Sequence, residues 1–140
     1  MTNAITYKLY VELSGVWTDI TADQLDAARI DAKWGMIDNK PMTLVASPGQ
    51  MTFSLDNSTG KYTPFSGSAV AGWKKGAAVK VVFTFLSQDY VRFYGKIDTI
   101  RIDAGTVGNR RVHVTVLDWL DYAVKHPLKN PAIEQDKTAG

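Results

Sequence analysis

Val79-Lys80-Val81-Val82-Phe83-Thr84-Phe85, followed across Ser87-Gln88-Asp89 by Val91-Arg92-Phe93-Tyr94-Gly95, decides the fold class. In the first segment Val79, Val81, Phe83 and Phe85 alternate with Lys80, Val82 and Thr84, the period of a strand with one buried face. The turn residues then return the chain, so the two segments read as an antiparallel hairpin. Ile97, Ile100 and Ile102 prolong its second strand, and the break in period at Asp98-Thr99 predicts a bulge or bend. Asp103-Ala104-Gly105-Thr106-Val107-Gly108-Asn109 turns the chain again, and Val112, Val114 and Val116 alternate with Arg111, His113 and Thr115 in a last strand.

Upstream, Met51, Phe53 and Leu55 alternate with Thr52, Ser54 and Asp56. A turn at Ser47-Pro48-Gly49 is expected before them, because Pro presets one turn angle and Gly accepts the positive φ that follows. Asp56 to Pro64 collects turn-forming residues and reads as an ordered surface loop. At the start of the chain Ile5, Tyr7, Leu9, Val11 and Leu13 face one way and Thr6, Lys8, Tyr10 and Glu12 the other; Ser14-Gly15 turns, and Trp17-Thr18-Asp19-Ile20-Thr21 pairs back. Ala28, Ile30, Ala32 and Trp34 alternate as a third strand, against a local helical preference over residues 23–28. One helix is expected: Asp118 caps it, Asp121 makes a capping-box-like partner, Leu117 staples against Tyr122 and Pro127 ends it. Its apolar side, Trp119, Leu120, Tyr122, Ala123 and Val124, is expected to close an open end or edge of the sheet. The fold class is therefore mainly β, an antiparallel β-barrel or sandwich with one short C-terminal helix.

The chain has 140 residues, 45% hydrophobic and 21% charged, which suits one packed domain over residues 1–125. Residues 126–140 are polar and unpatterned, and read as an extension or linker to a downstream region. Sixteen Lys and Arg against fourteen Asp and Glu leave a net charge of +2, too small to argue for a nucleic-acid or membrane partner. No stretch is long and apolar enough to span a membrane, and Met1-Thr2-Asn3-Ala4 lacks the blocks of a signal peptide. Without cysteine there is no disulfide, no thiol nucleophile and no Cys-ligated metal.

Other chemistry has equally little to stand on. His113 reads as an outward strand residue and His126 as a helix-end residue, and no Gly-x-Ser-x-Gly elbow supports a triad. Asp56-Asn57-Ser58-Thr59-Gly60 lacks the glutamate a calcium loop needs, since Gly67 stands at the twelfth position. Gly60-Lys61 has no phosphate-loop frame. No catalytic residue, metal or cofactor is assigned, and the expectation is a protein that is not an enzyme. Arg110-Arg111 and Lys74-Lys75 read as turn solubilisers before phosphate contacts. Trp17, Trp34, Tyr62 and Trp73 offer an alternative, a sugar-stacking platform of a carbohydrate-binding β-sandwich recognising a cell-surface glycan.

Taken in order, Trp17-Thr18-Asp19-Ile20-Thr21, Pro48-Gly49, Met51 to Leu55 with Asn57, and Gly60-Lys61-Tyr62-Thr63-Pro64 resemble the N-terminal region of bacteriophage minor tail proteins. That family shows Trp-x-Asp-(Ile/Val)-Thr, a Pro-Gly turn, a strand ending Leu-x-Asn, and a Gly-(Arg/Lys)-(Tyr/Phe)-(Ser/Thr)-Pro loop. Lys75-Gly76, Phe93-x-Gly95-x-Ile97 and Val114-x-Val116-x-Asp118-x-Leu120 continue the likeness, which covers roughly residues 15 to 125. Residues 24–46 depart from it, with Lys33-Trp34-Gly35 where an Arg-Gly strand start is usual. The resemblance implies a split-barrel hub or adaptor domain at the tail tip, in the virion tail and made in the bacterial cytoplasm. It implies assembly as a homo-trimer or homo-hexamer around the lumen, contacts with neighbouring tail proteins, passive contact with DNA in the lumen, and no membrane partner. The candidate subunit contacts are Tyr7 and Tyr10 on the N-terminal hairpin, Tyr62 and Phe65 in the loop, and Arg110 and Arg111 at the tip; the competing expectation is that Tyr62 and Phe65 fold down on their own sheet.

Overall fold

Apolar side chains at every second position give each strand one face that must leave water, and seven strands meet that demand in one sheet. In a computed structural model describing residues 4–26, 29–35, 47–105 and 110–126, the strands are β1 (Thr6–Leu13), β2 (Val16–Asp19), β3 (Asp31–Gly35), β4 (Ser47–Asp56), β5 (Ala78–Phe85), β6 (Gln88–Asp103) and β7 (Arg111–Leu117). The helix α1 (Trp119–Lys125) follows, and Thr21–Asp23 forms a short 3-10 turn. The sheet order is β2-β1-β5-β6-β7-β4-β3, antiparallel throughout. The mainly β class and the C-terminal helix are as the alternation implies. Closure into a barrel by strand pairing is not found: among the described residues β2 and β3 are the edges of an open ladder.

Register places the inward residues opposite one another. Leu9 faces Val81 and Val11 faces Val79; Ile97 faces Val116, which faces Met51; Phe53 faces Val114 and Leu55 faces Val112. These side chains form one buried cluster with Phe93, Tyr62 and Trp73. A strap over residues 20–25 reaches from β1 to β4: Ile20 N–H donates to the Leu9 carbonyl at 2.9 Å, Gln24 bridges Leu55, and Leu25 N–H donates to the Ser54 carbonyl at 3.0 Å. The strap draws together strands four places apart in the ladder, and their inward residues share one core.

The bulge expected at Asp98-Thr99 is present, as a register shift between Ile97 and Thr99. Ser14-Gly15 forms the first hairpin turn with φ of 51° and 86°, both residues left-handed as a two-residue hairpin requires. Other expectations need correction. Pro48-Gly49 lies inside β4 and makes no turn; Gly49 is needed for close approach, because a Cβ there would stand 2.6 Å from Asp118 Oδ2. The β5–β6 turn is Leu86-Ser87, at φ of 50° and 62°, with Gln88 and Asp89 already in β6. β3 begins at Asp31, with a 3-10 turn at Thr21–Asp23 ahead of it.

α1 is capped as expected, Asp118 Oδ1 accepting from Leu120 N–H at 3.0 Å, while Asp121 pairs with Lys125 at 2.8 Å. Its apolar side does not close the sheet: Trp119, Tyr122 and Val124 are exposed and no residue of the helix is buried. Two turns standing on the rim by β4 and β6 are too short to fold that side inward. Residues 106–109 of the expected last turn, the Pro127 stop, Ala28 at the start of the expected third strand, and residues 127–140 lie outside the described residues.

Candidate functional site

The loop after β4 is built on Asn57, which is 1% exposed. Its Nδ2 donates to Thr63 Oγ1 at 2.8 Å, its Oδ1 accepts from Tyr62 N–H at 2.9 Å, and its carbonyl accepts from Gly60 N–H at 2.9 Å. Gly60 turns at φ 77°, which sends Lys61 and Tyr62 back toward the strap. There Asp23 Oδ2 accepts from Lys61 Nζ at 2.7 Å and from the Tyr62 hydroxyl at 2.5 Å. Tyr62 is 2% exposed, its ring edge-on to Trp73 at 4.8 Å, and its carbonyl accepts from Trp73 Nε1–H at 2.8 Å. Burial, followed by the Asp23 hydrogen bond and charge, raises the Tyr62 phenol far above its ordinary range. The hydrogen bonds from Lys61 and Tyr62 outweigh the opposing burial and lower the Asp23 carboxyl. These perturbed groups satisfy one another inside the fold.

The expectation that Tyr62 bears a subunit contact is therefore corrected. Its ring is core and its hydroxyl is engaged, so it presents no surface to a partner. Phe65, three residues on, is wholly exposed and holds φ 65°, a conformation that bulky residues avoid. Tyr7 is half-buried on the inward face of β1; its hydroxyl donates to Gln24 Oε1 at 2.9 Å and its ring lies 6.0 Å from Phe83. Tyr10 lies on the outward face, with Lys80 Nζ 5.4 Å from its ring. Arg110 is exposed and its carbonyl accepts from Asn57 N–H at 2.9 Å, while Arg111 is paired with Asp26 at 2.9 Å. The structure does not gather these residues into one patch.

No family model and no curated protein matches this chain. The weight falls on the surfaces themselves. Trp17, Trp34, Tyr62 and Trp73 do not make the expected sugar platform: Tyr62 and Trp73 are core, Trp34 lies 5.8 Å from Phe93, and Trp17 lies 6.3 Å from Tyr94. His113 and Ser54 are cross-strand partners, with Ser54 Oγ 2.9 Å from His113 Nδ1 on the polar outward face of β4 and β7. Among the described residues no group of three or more His, Asp or Glu side chains is placed to hold a metal ion. No described helix is long and apolar enough to cross a membrane.

Sequence reasoning missed two exposed apolar groups. Ile5, Leu86, Tyr90 and Val91 surround the β5–β6 turn, where Leu86 stands exposed at positive φ. Tyr94, Trp119 and Tyr122 flank a cleft of about 350 Å³ between β6 and α1. Alternation marks Tyr94 as outward; what it cannot signal is that a helix arriving from β7 stands beside it. Asp23, which anchors both Lys61 and Tyr62, was also missed, and only the short turn pattern around it gave any sign.

Proposed function

We propose that the chain is a structural component of a phage-type tail, a hub or adaptor domain at the tail tip that works by binding copies of itself and neighbouring tail proteins. It assembles as a homo-trimer or homo-hexamer around the lumen of the virion tail, where DNA passes without a dedicated site. The motif order supports the tail reading, and Phe65 is the observation that supports association. A Phe in the left-handed region costs about 1–2 kcal/mol, and the Asn57-built loop holds it there with its whole side chain in water. A contact on a neighbouring copy accounts for both the strain and the exposure. Among the described residues β2 and β3 are the edges of the sheet, which adds places where a second chain can join it.

The test is absolute mass by light scattering over a wide concentration range, on the 15.4 kDa chain and on Phe65→Gly. Closed rings give about 46 kDa for three copies or about 92 kDa for six. Phe65→Gly is expected to raise the melting temperature slightly, by relieving the left-handed strain, while shifting the mass toward monomer. A monomer at every concentration, or a Phe65→Gly variant that associates as the parent does, refutes self-assembly through this loop.

A further inference from the structure

The outward face of the sheet is divided. Over β4 and β7 it is polar, carrying Thr52, Ser54, Thr115 and His113, and over β1, β5 and β6 it is aromatic and cationic. Register sets Tyr10, Lys80 and Tyr94 in one cross-strand row, about 10 Å across its two strand spacings. Lys96 is the diagonal neighbour of Lys80, about 7–8 Å away at Cα. Lys80 Nζ stands 4.3 Å from the Trp17 ring, and Lys96 Nζ stands 5.4 Å from the Tyr122 ring. The row runs directly into the cleft beside α1, which Tyr94, Lys96, Trp119 and Tyr122 help to line.

Charge on this surface is unevenly satisfied. Asp98 faces Lys75 at 3.4 Å and Lys125 at 3.9 Å, Asp121 faces Lys125, and Asp118 caps the helix. Among the described residues neither Lys80 nor Lys96 has a carboxylate within salt-bridge distance. Lys80 and Lys96 sit on aromatic faces as uncompensated cations, and Glu12, the cross-strand partner of Trp17, is, among the described residues, an unpaired carboxylate on the same face. Asp98, Asp118 and Asp121 share the cleft with Lys75, Lys96 and Lys125, so its charge is near balance; what the aspartates ask of a ligand is hydrogen-bond donors, which a phosphate backbone and an apolar helix face both lack. Lysines cover the Tyr10, Trp17 and Tyr122 rings and His126 stacks on Tyr122, while the exposed Tyr94 and Trp119 rings line the cleft. A sugar chain fits this arrangement: its C–H groups lie against Tyr94 and Trp119, its hydroxyls donate to carboxylate oxygens that keep spare lone pairs, and an acidic substituent meets the lysines. The cleft volume lies at the lower end of the range for small-ligand sites.

We infer that the Tyr10–Lys80–Tyr94 row and the cleft under α1 form a binding site for an acidic oligosaccharide. This site is independent of the Phe65 loop and of the tail reading.

The test is calorimetric titration of the 140-residue chain at low salt with tetragalacturonate, with cellotetraose as the uncharged sugar and a short oligothymidylate as the polyanion. Tetragalacturonate is expected to bind with Kd on the order of 0.1–1 mM, and more tightly than either other probe. Tyr122→Ala is expected to weaken it about three- to tenfold, and Lys96→Met about two- to fivefold, at unchanged melting temperature. Lys96→Met keeps the aromatic wall, so it reads the site even where Tyr122→Ala perturbs the helix. Absence of tetragalacturonate binding, or binding indifferent to both substitutions, overturns the inference. Tighter binding of the oligothymidylate overturns it in favour of single-stranded nucleic acid, and loss of self-association in Tyr122→Ala overturns it in favour of a subunit contact. Phe65→Gly leaves the titration unchanged if the two surfaces are separate.

Discussion

Replacing Tyr62 by Phe removes one oxygen from the core and leaves the ring against Trp73, so its effect isolates the hydroxyl on Asp23. A hydrogen bond to a charged acceptor contributes about 1.5–3 kcal/mol. Asp23 keeps Lys61 at 2.7 Å and is partly open to water, which puts the loss at the low end, about 1.5 kcal/mol. For a chain of this size that is a fall of about 5 °C in Tm at neutral pH. Alkali gives a sharper reading. The Tyr62 phenol ionises near its ordinary value of 10.0 in the unfolded chain, but far higher in the fold, where burial and Asp23 oppose the phenolate. Its contribution is fully present below pH 10.0 and is lost above it, at up to about 1.4 kcal/mol per pH unit, because only the unfolded state releases the proton. Phe has no proton to release, so the gap between the two proteins should close near pH 11, about one unit above the phenol's ordinary value. Urea unfolding followed by circular dichroism at pH 8, 10 and about 11 measures the gap. A gap that stays constant with pH refutes the exclusion of the phenolate, and no gap at pH 8 refutes the hydrogen bond.

Acid should act through the opposite sign. Asp19, Asp23 and Asp98 have carboxyls lowered below their ordinary 3.8, so the stability they contribute is present above about that pH and is lost as pH falls through their folded values; Asp23→Asn should flatten this acid loss in melts between pH 5 and about 2. Gly95→Ala would push a Cβ into the Leu117 carbonyl and the Val116 side chain where β6 lies beside β7, and should cost about 3 kcal/mol, read as a fall in Tm of about 10 °C. Asn57→Ala should cost about 2 kcal/mol in urea unfolding, since it strands the buried Tyr62 N–H and removes the donor to the half-buried Thr63 hydroxyl; an effect under about 1 kcal/mol would show that the loop is organised elsewhere.

Alternation made the sheet legible because each strand has one inward face and a period of two reports it directly. The Asp98-Thr99 bulge was legible for the same reason: an extra residue shifts the phase of the isoleucines around it. The same logic fails where no period exists. Tyr62 and Phe65 stand three residues apart in one loop, both aromatic, yet one is core and the other is in water. What separates them is Asp23, 39 residues away along the chain, whose carboxylate takes the Tyr62 hydroxyl. α1 fails differently, since its broad apolar side was visible but its seven residues reach only the rim of the sheet. Pro48-Gly49 carries the composition of a turn, yet the close approach of Asp118 to β4 is what requires the glycine.

The residues on which the tail proposal rests include several that hold this fold together. Asp19 accepts from Thr21 N–H at 2.9 Å, and Thr21 Oγ1 accepts from Leu9 N–H at 2.8 Å, which fixes the strap to β1. Asn57, Gly60, Lys61 and Tyr62 fix the loop to the strap, Gly95 lets β6 lie close against the Leu117 carbonyl at the end of β7, and Asp118 starts the helix against Gly49. Such a set specifies a scaffold, and a scaffold is compatible with many partners. Partner choice must then rest on side chains outside the motifs: Phe65 in the loop, Leu86 at the turn, and the Tyr94, Lys96 and Tyr122 wall of the cleft. The two classes separate by experiment. Substitution in the scaffold set should lower Tm first and association only as a consequence, whereas substitution of the exposed set should change association or sugar binding without lowering Tm. If Phe65→Gly and Tyr122→Ala instead lowered Tm as Asn57→Ala is expected to, those side chains would belong to the fold and no surface argument would stand on them.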